Sequence, residues 1–359
     1  MTEQSSSHGL RSIAYWLQTI LFGALILYLG RSLFVPLLFG LLVALLLFPP
    51  CRWLERRGWS RAAAISVLLV LIILLFLGVV FLLGIELDVF VRQIPTVARR
   101  LAALAGRIQD WLEFKYRVSR DTQAGWTGRM VNEAGQNLAA ILGGLLNTTV
   151  STVVMLVMIP VYAALFLYHR GTFVYFLTRM VGAKLRERLP VILEQSILSY
   201  FRFVRGTFFV YCIVGALNSL GLFLLGIDKP LLYGMTTAFM TFIPYIGILI
   251  SASIPVSIAL VTRDEAWYPL AVVAVFSFVQ YLEGNVIFPR VVGKQLSLST
   301  WATLVGLIAG TILWGVSGMI LFIPFLAILK IVSDNIPEWE ALNVLLNRDK
   351  GYRRQRRQR

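Results

Sequence analysis

Residues 62–84 read Ala-Ala-Ala-Ile-Ser-Val-Leu-Leu-Val-Leu-Ile-Ile-Leu-Leu-Phe-Leu-Gly-Val-Val-Phe-Leu-Leu-Gly, a run without a single charge. A helix needs about 20 mostly apolar residues to cross the hydrocarbon of a bilayer, and this run supplies them. Outward from it, residues 12–29 and 33–50 precede and 148–168, 206–226 and 267–288 follow, each apolar enough to span. The whole chain of 359 residues is 58% hydrophobic and 14% charged, with a mean hydropathy of +0.77. Soluble domains carry roughly 25% charged residues, so this composition excludes a soluble globular protein.

Two further apolar stretches, 231–262 and 300–333, are too long for one simple crossing. The first contains Pro244, Gly247 and Pro255, and the second Gly306, Gly310, Gly315, Gly318 and Pro324. These residues offer places to break a helix, and broken backbone at membrane depth is tolerated only in a protein interior or along a cavity. The expected fold is therefore an all-α membrane protein. It has about six simple transmembrane helices plus two broken stretches, about eight membrane segments in all.

Residues 12–29 are led only by Arg11, and no small-residue cleavage site precedes the next apolar run. That segment is expected to stay as a membrane helix and not to be removed as a signal peptide. Cys51 at a basic helix end and Cys212 inside an apolar run read as reduced, inert residues. With only His8 and His169 available, metal-ligand spacing is absent, and no P-loop, nucleophile elbow or dinucleotide fingerprint is found. No cofactor, resident metal or enzymatic activity is expected.

Charge sets the orientation. The connection after residue 50 holds Arg52, Arg56, Arg57 and Arg61 against Glu55, which assigns it to the cytoplasm under the positive-inside rule. Both termini are then cytoplasmic, and the segment 85–147 is external. Within that segment Leu101, Leu104, Ile108 and Leu112 recur at helical spacing, which predicts amphipathic helices on the bilayer or on partner subunits. After the fourth span, Arg170, Arg179, Lys184, Arg186, Arg188, Arg202 and Arg205 face only Glu187 and Glu194. Interspersed apolar residues make this an interfacial segment attracted to anionic lipid headgroups. The tail carries Arg353, Arg354, Arg356, Arg357 and Arg359, read as a lipid-facing topology signal and not as a nucleic-acid site. The expected organisation is 1–84, three N-terminal helices; 85–147, external; 148–205, a span and a basic interfacial helix; 206–333, the transport core; and 334–359, the basic tail.

Two topologies are open for 231–262 and 300–333: long tilted helices, or hairpins that enter and leave on one side. If both are hairpins, Arg290 and Lys294 fall in the cytoplasm, whereas single helices strand them outside. The hairpin reading also relates 206–262 to 267–333 as an inverted repeat. Asn218 corresponds to Asn285, and Pro255 in Ser-Ile-Pro-Val-Ser-Ile-Ala-Leu to Pro324 in Phe-Ile-Pro-Phe-Leu-Ala-Ile-Leu.

Most acidic residues lie in loops, but Glu283 sits near the end of the apolar run 267–288. An intramembrane carboxylate is costly, so it is paired, solvated by a cavity, or used in coupling to an ion or proton. An interfacial ion pair with Arg290 or Lys294 is the structural alternative. Gln280 lies three residues before Glu283 and shares its helix face, while Asn285 lies further round and can cap the helix end. Gln280, Glu283, Asn285 and Asn218 are thus the candidate residues for binding a polar solute or cation.

The segment Gln280-Tyr-Leu-Glu-Gly-Asn-Val-Ile-Phe-Pro-Arg-Val-Val-Gly-Lys294 resembles the signature of the autoinducer-2 exporter family. So do the following Leu-Ser-Leu-Ser, the stretch Gly318-Met-Ile-Leu-Phe-Ile-Pro-Phe-Leu-Ala327, and the upstream Phe242-Ile-Pro-Tyr-Ile-Gly247. The family often has Pro where this chain has Ser299 or Thr300. The resemblance implies a multi-pass permease of the bacterial inner membrane. Family members are described as autoinducer-2 exporters, as sodium or proton antiporters, or simply as permeases. Together with the amphipathic flanks it suggests a homo-oligomer, with a pentamer as the form to test. A secondary transporter of a small polar solute is the first expectation, with a passive channel and a non-transporting scaffold as the other classes.

Overall fold

The computed structural model describes residues 15, 17–19, 21–116, 149–242, 246–263, 265, 267–292 and 298–347. Every extended element among the described residues is helical, and the one β-contact is an isolated bridge between Leu298 and Asn347. Among the described residues, five helices are long and apolar enough to cross a membrane: Arg31–Arg56, Arg61–Leu82, Leu189–Leu224, Trp267–Val291 and Thr300–Asn335. A sixth span is added if Met155–Tyr168 and Arg170–Met180, bent by 72° at their junction, are taken together. The N-terminal apolar run appears as a shorter helix, Leu17–Leu29.

The chain divides into two compact units. The first comprises residues 1–70, 155–204 and 294–359. Its helix α1 (Arg31–Arg56) packs closely on α3 (Thr149–Tyr168). A methyl group on Gly40 would stand 2.6 Å from the Tyr162 Cβ and 3.1 Å from the Ile159 carbonyl oxygen. Lipid tails are as apolar as leucine, so such small-residue approaches, which maximise van der Waals contact, hold membrane helices together. Val35, Leu42, Tyr200 and Leu321 form the buried centre, with Leu38, Leu45, Met155 and Trp314 packed around them.

The last long helix of this unit, α9 (Thr300–Asn335), is broken. Trp314 has φ −137° and ψ 17°, and Gly315 has φ +61° and ψ −137°, far from helical values. Gly306 comes against the Leu326 side chain, and a methyl on Gly310 would lie 2.6 Å from the Gly318 carbonyl oxygen. In a straight helix residues 306 and 326 would be about 30 Å apart, so α9 is a helical hairpin. Ser299 caps its start: the hydroxyl accepts from the Ala302 N–H at 3.2 Å and donates to the Leu345 carbonyl at 2.7 Å. The Ser299 N–H donates to the Leu346 carbonyl at 2.8 Å, a bond that proline could not make. The hairpin is thereby tied to the short C-terminal helix α10 (Glu340–Leu346).

The second unit comprises residues 71–154 and 205–293. It holds most of α2 (Arg61–Tyr116), the span part of α5 (Leu189–Leu224), α6 (Pro230–Met240), α7 (Ile246–Thr262) and α8 (Trp267–Leu282). Helix α2 runs unbroken through residue 116, where the sequence suggested a span to residue 84 followed by separate amphipathic helices. The remainder of the expected external segment, 117–148, lies outside the described residues. The basic stretch is likewise divided: Arg202 and Arg205 belong to α5 and not to the short helix α4 (Arg170–Met180).

Helices α6 and α7 are the two arms of the broken stretch 231–262. With 11 residues, α6 is about 16 Å long, roughly half a hydrocarbon core. Gly247 abuts the backbone of Met240 and Thr241, so the arms meet at the break. Pro244 lies outside the described residues. The core of the unit gathers Leu222, Tyr233, Ile254, Ile258, Val272 and Phe276 from α5 to α8, with Ile227 from the turn after α5. Outward-facing Leu71, Leu74, Leu75 and Phe81 on α2 and Leu270 and Phe278 on α8 are exposed, as lipid-facing surfaces require.

Candidate functional site

The site is built on α5, the α6–α7 break and the end of α8, all within the second unit. Gly206 lies against Val292 and Gly221 against Val275, so α5 and α8 run antiparallel in close contact. Gly215 in turn stands 2.9 Å, at its would-be Cβ, from the Gly234 carbonyl of α6. These glycines let three backbones approach in lipid, where packing alone must hold them.

Immediately after α8 the helix widens into a π segment, Glu283–Ile287, before the short turn Phe288–Val291. Such π-bulges recur at functional sites because they re-aim side chains within a helix. Here the first residue of the bulge is Glu283, only 8% exposed. Gln280 Nε2 donates to Glu283 Oε2 at 2.9 Å, while Gln280 Oε1 is buried with no partner among the described residues. Asn218 on α5 is fully buried, and both its amide atoms lack a partner among the described residues. The α5–α8 register puts Asn218 about level with Phe278–Gln280, so the three polar residues share one depth to within about two helical turns.

Tyr211 connects this cluster to the break. It lies within electrostatic reach of Glu283, and its ring packs edge-on against Phe242 with centroids 5.1 Å apart. Phe242 closes the α6 arm just before the break. Tyr211 was not singled out from the sequence, where a tyrosine in an apolar run reads as packing; only helix register could have paired it with Glu283.

Asn285 does not join the cluster. Its side chain is exposed and its Nδ2 donates back to the Tyr281 carbonyl at 3.0 Å, a cap on the widened turn. Arg290 donates to the Val286 carbonyl at 3.4 Å, so its recorded contact is with its own helix and not with Glu283. Lys294 lies outside the described residues. Pro255 is buried within α7, and Gly315, Gly318 and Pro324 belong to the α9 hairpin of the other unit. The described residues contain no group of three or more His, Cys, Asp and Glu placed to hold a metal ion.

A carboxylate buried with amide donors and acceptors among apolar helices is costly in a membrane protein, and such groups mark solute or ion pathways. The chain matches the AI-2E family transporter model over residues 17–338 and belongs to that family. It is 26% identical over 89% of its length to the candidate transport protein YhhT of Escherichia coli (strain K12), covering 89% of that protein. It is 25% identical to the candidate transport protein YrrI of Bacillus subtilis (strain 168), over 84% of this chain and 86% of the relative. It is 29% identical to the candidate transport protein sll0063 of Synechocystis, over 84% of this chain and 77% of the relative. The chain is thus a membrane protein of a transporter family.

Proposed function

We propose that the protein is a secondary transporter of the bacterial cytoplasmic membrane that exports a small polar solute, such as the furanone signal autoinducer-2. The observation that carries this reading is the buried pair of Gln280 and Glu283 at about the depth of Asn218, whose amide atoms have no partner among the described residues. Buried amides of this kind cost about 1–3 kcal/mol each when unsatisfied, a cost that a bound hydroxylated solute or cation offsets. The mechanism draws on the end of α6 at Met240 and the widened turn at Glu283, where backbone groups released from regular helix can meet polar cargo within an apolar surround.

An intramembrane carboxylate favours one second reading, a sodium or proton antiporter in which Glu283 carries the coupling charge. The arginines after α1 support cytoplasmic termini, and family membership and amphipathic flanks support a homo-oligomer, with a pentamer to be tested by mass measurement in mild detergents. The deciding experiment is solute efflux and uptake in proteoliposomes, with and without imposed sodium or proton gradients. Gradient-driven solute movement supports the transporter, ion exchange without solute selects the antiporter, and conductance without coupling selects a passive channel.

A further inference from the structure

We propose that the bend between α3 and α4, with the loop before α2, is a docking surface for the headgroups of anionic phospholipids. This inference lies in the first unit and is independent of the transported solute. It starts from geometry. Helix α4 turns 72° away from the apolar helix that precedes it, so if α3 crosses the bilayer, α4 lies close to the membrane plane. Eleven residues long, α4 buries none of them in the protein, and Phe173, Phe176 and Met180 are exposed. In water that face would be an unsolvated apolar patch, whereas at headgroup level it rests in the acyl boundary.

Aromatic placement marks the same layer. Trp53 and Trp59, on either side of the loop between α1 and α2, are about half exposed, and the Arg57 guanidinium sits 3.8 Å from the Trp53 ring centroid. Tryptophans gather at membrane–water interfaces because their rings are amphipathic.

Charge then selects the lipid. Arg170 is committed to Glu55 at 2.6 Å, which neutralises both groups. That leaves Arg57, Arg61, Arg179 and Arg186 around the bend. Arg179 donates to the Tyr175 hydroxyl at 2.9 Å and Arg186 to the Thr178 carbonyl at 2.9 Å, which fixes the two guanidinium groups while leaving N–H donors directed elsewhere. Arg61 Nη1 donates to the Tyr168 carbonyl at 3.1 Å. It borders a cleft of about 560 Å³ lined also by Ser60, His169 and Thr172. Arginine and hydroxyl donors in a cleft match the oxygens of a phosphodiester. The apolar face on the adjoining helix distinguishes a lipid from a soluble phosphate, which would use the cleft alone.

The test is hydrogen exchange on the full-length protein in nanodiscs of phosphatidylglycerol and of phosphatidylcholine. The expected result is several-fold slower exchange at residues 57–62 and 168–180 in phosphatidylglycerol, reversed by high salt. Equal exchange in the two lipids overturns the proposal. So does inorganic phosphate reproducing the whole effect in phosphatidylcholine, because it would assign the cleft to a soluble anion. A triple variant, Arg61→Gln with Arg179→Gln and Arg186→Gln, should bring the lipid difference to near parity. If it melts as the wild type does in phosphatidylcholine yet keeps the difference, the arginines do not read the headgroup.

Discussion

Gly310 and Gly318 lie back to back across the α9 hairpin, so close that a methyl group on Gly310 would stand 2.6 Å from the Gly318 carbonyl oxygen. Neither helix arm can retreat without losing the contacts of Leu321 and Trp314 in the same core. Gly310→Ala is therefore expected to destabilise the protein by about 1–3 kcal/mol through overpacking. Gly78→Ala, on an open face of α2, should leave the melting temperature in detergent unchanged or slightly raised. Equal melting of the two variants would show that the arms are not in contact.

Gly315 makes a separate prediction because its surroundings are open, with nothing within 4 Å of a would-be Cβ. Its φ of +61° with ψ of −137° is a backbone state that side chains strongly disfavour. Gly315→Ala should cost about 1–3 kcal/mol from backbone strain alone. A melting curve superimposable on the wild type would mean that the reversal tolerates another conformation.

Glu283→Gln removes a charge while keeping size and the capacity to bond Gln280. If Glu283 couples transport to an ion, the variant folds normally but its solute flux in proteoliposomes no longer responds to the imposed gradient. Normal gradient dependence in the variant would remove Glu283 from the coupling role.

Asn218→Leu separates stability from function. Replacing a buried amide that has no partner among the described residues by an apolar side chain of similar size should leave the melting temperature equal or higher. Transport should fall at least about tenfold if the amide binds cargo, roughly the loss of one hydrogen bond in a desolvated site. A lower melting temperature with intact flux would reassign Asn218 to a structural network.

Arg290 tests orientation. In the hairpin topology Arg290→Cys lies on the cytoplasmic side, so a membrane-impermeant thiol reagent added to intact cells should not label it. A background lacking the exposed Cys212 is needed for that measurement. Ready labelling from outside would reverse the assigned direction of α8.

Much of this molecule was legible in the sequence. Hydropathy over 62–84 established a membrane protein, and the arginines after residue 50 raised an expectation of its orientation that the labelling of residue 290 would test. Both depend on composition within a window comparable to the bilayer. Glu283 stood out for the same reason: a charge in an apolar run is conspicuous without knowing what it touches. Pro255, Gly315 and Pro324 marked stretches too long to be simple spans. Sequence could not choose between a bent helix and a hairpin, because that choice rests on contacts between residues far apart in the chain. Gly306 with Leu326 and Gly310 with Gly318 decided it for α9, and Gly247 with Met240 showed the meeting of α6 and α7. The separation of Asn285 from Gln280 and Glu283 was already legible, because two residues carry a side chain about 200° round a helix, and its bond to the Tyr281 carbonyl is the expected cap. Tertiary structure brought Tyr211 beside Phe242, from elements that sequence gave no reason to pair. Local solvent preference determined which segments enter the membrane; side-chain packing between distant segments decided how they turn there and which polar groups they bury together.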